Sequence, residues 1–211
     1  MAAEQGLRER KKAQTRQAIA EAAQRLFAER GFDAVTVAEV AREADVSQGT
    51  VFNYFPTKEE LFYSGMVVFE AELVEAVRGR PAGESALAAF RRFVLDGTGR
   101  LAREDVAEVI ATAGRVVNAS AALQARERAI VAEYTDALAA LLAEETGAGA
   151  DDVEPRAAAA ALMGVQRALV SYVRAQVLAG RSGPQLAEET KAQGEHAFAR
   201  LERGLAGYAV R

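Results

Sequence analysis

Between Ala13 and Arg30 the apolar side chains fall at Ile19, Ala22, Ala23, Leu26 and Phe27. That is one face of a 3.6-residue period and predicts a helix, with Gly31 as its natural stop. Thr36 and Glu39 stand three apart ahead of Val40, Ala41 and Ala44, the spacing of a capping box, and predict a short helix from Val37 to Ala44. Ser47 can cap a third helix, which Pro56 ends. Thr57 and Glu60 repeat the box and open a long helix through Leu61, Phe62, Met66, Phe69 and Leu73 to about Val77. Gly79, Pro81 and Gly83 break it.

Further helical stretches follow at roughly 84–101, 103–118, 120–145, 155–179 and 184–207. The run Thr146 to Pro155 reads as a loop. The chain is therefore expected to be all-α, with about nine helices and no strand. It divides into a three-helix head, residues 1–56, and a larger helical body, residues 57–211.

One segment fits this pattern poorly. Ala44 to Phe55 reads ADVSQGTVFNYF; its glycine, β-branched and aromatic residues are all weak helix formers. Two short helices joined by a tight turn and packed on a longer one describe a helix-turn-helix, whose second helix is selected for its outward face. Val46, Val51 and Phe55 would point inward, and Gln48, Gly49, Phe52 and Asn53 outward, with Thr50 and Tyr54 on the flank. Gln and Asn can bond adenine edges, and Phe52 can touch a thymine methyl. Thr50, Tyr54 and Lys58 are suitable phosphate donors, and so is Thr36 at a helix start. Gly49 leaves room for a close approach.

Composition changes this picture little. Half of the 211 residues are hydrophobic and 27% are charged, with a net charge of −4. The acidic balance excludes a general coat of nucleic-acid-binding charge, so DNA contact must be local. The start of the chain is basic, with Arg8, Arg10, Lys11, Lys12 and Arg16 against Glu4 and Glu9; on charge alone it reads as a solvated terminus. Without cysteine there is no disulfide or thiolate chemistry. No leader or membrane span is evident, and the expected compartment is the cytoplasm.

The run GFDAVTVAEVAREADVSQGTVFNYFPTKEELF resembles the DNA-binding head of the TetR family of transcriptional regulators. Gly31-Phe32, Thr36-Val37, Val40-Ala41, Val46-Ser47, Gly49-Thr50, Tyr54-Phe55 and Lys58 to Leu61 carry the likeness, over roughly residues 10–62. The resemblance implies that Thr36, Gln48, Gly49, Thr50, Phe52, Asn53, Tyr54 and Lys58 face a double-stranded DNA operator. Two positions depart from the family pattern. Asp45 stands where glycine is usual in the turn, and aspartate tolerates the left-handed conformation better than most residues. Phe52 stands where tyrosine is common, so one hydroxyl contact is missing.

The resemblance further implies a ligand-binding body whose last two helices pair in a homodimer. Independently, Ala157, Ala161, Gly164, Ala168, Ser171 and Ala175 form a seam of small residues that would admit another helix. Phe198, Leu201 and Leu205 are the candidate contacts of the last helix. Two helix-turn-helix readers must span about 34–36 Å between half-sites, which favours a dimer. Phe62, Met66, Phe69, Phe90 and Phe93 could wall an effector pocket, with Tyr134 and Gln166 as its polar groups. Such a pocket suits a small hydrophobic molecule.

No cofactor or metal site is expected. His196, the single histidine, has polar and alanine neighbours and reads as solvated. The carboxylates read as a solvated face among Lys and Arg. Asn118-Ala119-Ser120 matches a glycosylation sequon only by chance. The reading is a ligand-responsive regulator, in the main a repressor, on a palindromic operator. The rivals are a helical dimer that no longer binds DNA and a helical enzyme; the latter lacks any nucleophile–base pair at recognisable spacing.

Overall fold

The computed structural model describes the backbone of residues 2–205 and the side chains of residues 9–204. Among these residues it has no strand, and its helices in order are α1 (Ala2–Arg30), α2 (Val37–Glu43), α3 (Gln48–Tyr54), α4 (Lys58–Phe62), α5 (Ser64–Arg78) and α6 (Ala86–Gly97). A 3-10 turn (Thr98–Ala102) precedes α7 (Glu104–Ala119), α8 (Ala121–Thr146), α9 (Glu154–Leu178) and α10 (Pro184–Leu205). The all-α expectation holds. No single described helix is long and apolar enough to cross a membrane.

The helix boundaries change at two places. The helix foreseen from Thr57 to Val77 is two helices, because Tyr63 leaves helical geometry at φ −88 and ψ 11. Its hydroxyl donates to the Leu123 carbonyl at 2.9 Å in a buried site, and periodicity is blind to a one-residue break of that kind. Also, α1 begins at Ala2 rather than near Ala13, so the exposed Arg10, Lys11 and Lys12 lie on a helix. Arg8 has its side chain outside the described residues.

The chain forms two compact units, one of Met1–Val67 with Arg115–Glu127, the other of Val68–Gly114 with Arg128–Arg211. The boundary expected at residue 56 thus falls inside the first unit. The reason is packing: Leu61 is buried, and the Phe62 ring lies 5.9 Å from Phe27 and 6.1 Å from Phe32. Ser120 closes the same unit, donating to Asp33 Oδ1 at 3.0 Å while its oxygen accepts from the Leu123 amide. The sequon serine is therefore a buried structural residue.

The second unit has a core of Leu73 and Val77 (α5), Phe90 and Val94 (α6), Leu138 and Leu142 (α8), Leu162 and Met163 (α9) and Phe198 (α10). Not every charge is solvated there. Arg80 is buried and forms a bidentate pair with Glu145 at 3.0 and 2.6 Å, and it also donates to the carbonyls of Val77 and Glu84. Removing one partner of such a pair costs about 3–5 kcal/mol, because the other charge stays buried.

Helix α10 reaches this core through a glycine. A Cβ at Gly194 would stand 2.5 Å from Leu95 Cδ2 and 3.2 Å from Leu169 Cδ1, and both leucines are buried. Alanine would gain about 1 kcal/mol in helix propensity, but overpacking a filled core costs about 1–3 kcal/mol. Gly194→Ala is therefore expected to lower the melting temperature by a few degrees. Gly164→Ala, with nothing within 4 Å of the added atom, should leave it level or raise it. Parallel thermal melts check the pair.

Candidate nucleic-acid interface

The turn between α2 and α3 is set by two backbone bonds. Asp45 sits at φ 52, the one positive-φ non-glycine residue among those described. The Val46 amide donates to Ala41 O at 2.9 Å and the Asp45 amide to Arg42 O at 3.2 Å. This is the Schellman pattern, which normally uses glycine at that position; Asp45 takes the left-handed conformation foreseen for it.

α3 is only seven residues long, too short to persist alone in water. Three devices hold it. Ser47 caps its start, accepting from the Thr50 amide at 3.0 Å. Val51 and Phe55 are buried beneath it, while Val46 is half-buried. Arg16 on α1 donates to the Tyr54 carbonyl at 2.9 Å and lies over the Phe55 ring at 4.3 Å. A cation on a helix's last carbonyls offsets the negative end of its dipole. The sequence gives no sign of this role, because Arg16 looks like one more charge of a basic arm.

What remains outside is the expected face. Gln48, Gly49, Phe52 and Asn53 are exposed, Phe52 to 47%. A Cβ at Gly49 would meet only Ser47 Oγ, at 3.7 Å, so nothing within the chain demands glycine there. Thr50 and Tyr54 are half-exposed, and the Thr50 hydroxyl lies 2.8 Å from Ser47 Oγ.

Thr36 is exposed but occupied. Its hydroxyl and its amide each donate to Glu39 Oε2 at 2.8 Å, and its oxygen accepts from the Glu39 amide. The capping box is complete, so the Thr36 hydroxyl proton is already committed and a carboxylate sits at this helix start. The Thr36 bonds, from backbone and then hydroxyl, and next Arg30, hold the Glu39 carboxyl down to about 2. Lys58 opens α4 with its ammonium over the Phe32 ring at 4.2 Å. Desolvation against that ring pulls its pKa below the usual lysine range, opposed by the charges of Asp33, Glu59 and Glu39.

The effector candidates fall in both units. Phe62, half-buried, belongs to the head's aromatic cluster with Phe27, Phe32 and Tyr63. Met66 is half-buried, in the same unit. In the second unit Phe69 meets Phe93 at 5.4 Å between ring centres, and Phe93 and Tyr134 border the core. Phe90 is fully buried against Phe198, and Gln166 is buried. Between α8 and α9 lies an open groove of about 390 Å³ lined by residues including Arg128, Thr135, Arg156 and Arg167. None of the effector candidates borders it.

The small-residue seam of α9 is open: Gly164, Ala168, Ser171 and Ala175 are exposed and Ala161 half-buried. Phe198, proposed for the same interface, is 0% exposed and stacks on Phe90 within its own chain, so it is a core residue. Leu201 also packs on that core. Leu205 lies outside the described side chains.

Two outcomes follow. Asp45→Gly should remove a left-handed penalty of about 1–2 kcal/mol against a glycine entropy cost of about 0.5–1 kcal/mol. A small net gain in the denaturation midpoint is expected. The second concerns pH. A carboxyl whose folded pKa is lowered from 4.5 to about 2 contributes stability that is present above pH 4.5 and lost as pH falls towards 2. Glu39→Gln should be less stable than the parent at neutral pH, with the gap closing across that window in melts recorded from pH 7 to 2.

Residues 19–64 match the family described as bacterial regulatory proteins, tetR family, and residues 84–205 match the MftR C-terminal domain. Among curated relatives, the HTH-type transcriptional regulator TcmR of Streptomyces glaucescens is 34% identical over 40% of this chain and 38% of its own length. This chain thus spans well under half of that relative. MftR of Mycobacterium tuberculosis, whose name assigns it to transcriptional regulation of mycofactocin biosynthesis, is 27% identical over 77% of this chain and 80% of its own. Among solved structures, Thermus thermophilus FadR, a transcriptional repressor in complex with lauroyl-CoA, superposes with a TM-score of 0.50. It is 26% identical and covers 88% of this chain and 92% of that one. Two family matches that together take in the helix-turn-helix and more than half of the chain place it: it belongs to the tetR family of bacterial regulatory proteins.

Proposed function

We propose that this protein is a ligand-responsive transcriptional repressor that binds a palindromic DNA operator as a homodimer. The observation that carries the reading is the outward face of α3. Four exposed residues, Gln48, Gly49, Phe52 and Asn53, stand on a helix braced from behind by Val51, Phe55 and Arg16. A glycine that the chain itself does not need fits a helix pressed into a major groove. Gln48 and Asn53 read base edges, and Phe52 supplies an apolar contact. Tyr54 and Lys58 hold phosphates, with Lys58 swinging from its place on Phe32; Thr50 and Thr36 stand beside them, their amides already engaged in the caps of α3 and α2.

Dimerisation uses the exposed seam of α9, from Ala161 to Ala175, without Phe198. The first unit, Met1–Val67 with Arg115–Glu127, is the reading head, and the second unit is the effector and dimer domain. The effector is a small hydrophobic molecule held near Phe69, Phe93, Tyr134 and Gln166; the lauroyl-CoA in the Thermus structure shares with it only an apolar chain. For an effector to release DNA it must bind the DNA-incompetent arrangement more tightly, since equal affinity shifts nothing.

Mobility shifts on the promoter beside the protein's own gene, at two salt concentrations, test the reading. Lys58→Ala should weaken binding to every sequence and reduce the salt slope by about one. Asn53→Ala should lose discrimination at one operator position, worth about 1–3 kcal/mol. Gly164→Arg should yield a monomer by sedimentation that fails to shift the operator. Unchanged values for Asn53→Ala across all operator variants would remove that residue from base readout.

A further inference from the structure

Glu70 is 3% exposed, and its Oε2 is buried with no hydrogen-bond partner among the described residues. Thr98, Ser120 and Thr190 each donate to an acceptor, and Arg80 is held by Glu145 and two carbonyls. A buried polar atom without a partner is unfavourable, and a buried charge without one more so. Burial accordingly pushes the Glu70 carboxyl up to about 7.

Its position gives the orphan a context. Helical spacing sets Glu70 on the face of α5 that carries Leu73, Val74 and Val77, all members of the second unit's core. The preceding residue, Phe69, pairs with Phe93, and the Arg100 guanidinium stands 5.8 Å from the Phe69 ring centre. That aromatic surface therefore already accepts a cation. A buried acid with an unused lone pair on the apolar face of α5, one residue along the helix from the Phe69–Phe93 pair, is complementary to one ligand chemistry: an organic ammonium or amidinium on a hydrophobic body.

We propose that Glu70 is the polar anchor of the effector site and selects amphipathic organic cations, its carboxylate accepting the ligand's N–H while the ligand's hydrophobic body packs on the Phe69–Phe93 side of the core. This rests on the effector-binding reading above and narrows it. An ammonium would supply the missing donor and also stabilise the ionised acid, because opposite charges attract strongly where water is excluded. A neutral alcohol of equal apolar size could donate a hydrogen bond but would not stabilise the ionised acid, and an anion would do neither.

The test uses the intact protein and three probes with one twelve-carbon chain: dodecylammonium, dodecanol and dodecanoate, titrated calorimetrically at pH 7.5 below their aggregation limits. Dodecylammonium is expected to bind at least tenfold more tightly than dodecanol, and dodecanoate more weakly than either. Glu70→Gln should abolish that preference while leaving dodecanol affinity within about twofold. Equal affinities for the three probes, a preference for dodecanoate, or a preference for the ammonium that persists in Glu70→Gln overturns the proposal. Should Glu70→Gln fail to fold, the order of the three probes on the parent protein decides alone. Operator binding without probe, measured on the parent and on Glu70→Gln, keeps the two readings apart. Its absence in both defeats the regulator reading, whereas the selectivity for cations stands or falls with the titration.

Discussion

Everything this protein is built to present depends on bracing a helix that could not exist by itself. α3 has seven residues, among them a glycine and four β-branched or aromatic side chains. Its intrinsic helix propensity is poor, and nucleation alone would defeat so short a segment. Three local contacts reverse that balance. Ser47 satisfies the first turn, Val51 and Phe55 bury their side chains against the head, and the Arg16 guanidinium reaches from α1 to the Tyr54 carbonyl. Each is worth about 1–3 kcal/mol, enough together to fix a helix whose other face is left without structural duty. That freedom lets Gln48, Gly49, Phe52 and Asn53 be chosen for a partner rather than for the fold.

The head was legible in the sequence because its signals are local. The Thr36–Glu39 box, the Ser47 cap, the Gly31 stop and the left-handed Asp45 are each readable within a few residues, and each stands in the structure as expected. Contacts across long sequence distances were not legible. Nothing near Tyr63 announces a hydroxyl bond to Leu123, sixty residues on, and so the break between α4 and α5 is invisible to periodicity. Nor does any spacing show that Arg16 serves α3, or that Arg80 and Glu145 pair in the interior.

The same limit explains the uneven reading of the body. Small residues on α9 repeat on one face, and that face is open, because helical phase is a sequence property. Phe198 looked equally suited to an interface, yet it lies in its own chain's core against Phe90. An apolar side chain satisfies either burial, and only the tertiary packing of α10 on α6 through Gly194 decides between them. Glu70 is the opposite case. Among many carboxylates it reads as one more solvated charge, and only its burial sets it apart.

The central claim is that the exposed edge of α3 meets base edges in the major groove, once per subunit of a dimer. Methylation interference on the operator, combined with hydroxyl-radical footprinting, measures this directly. The account predicts two symmetric patches of major-groove interference whose centres lie one helical turn apart, about 10–10.5 base pairs, or a multiple of that distance. A single patch, or protection confined to the sugar–phosphate backbone with no interference at any base, would contradict it.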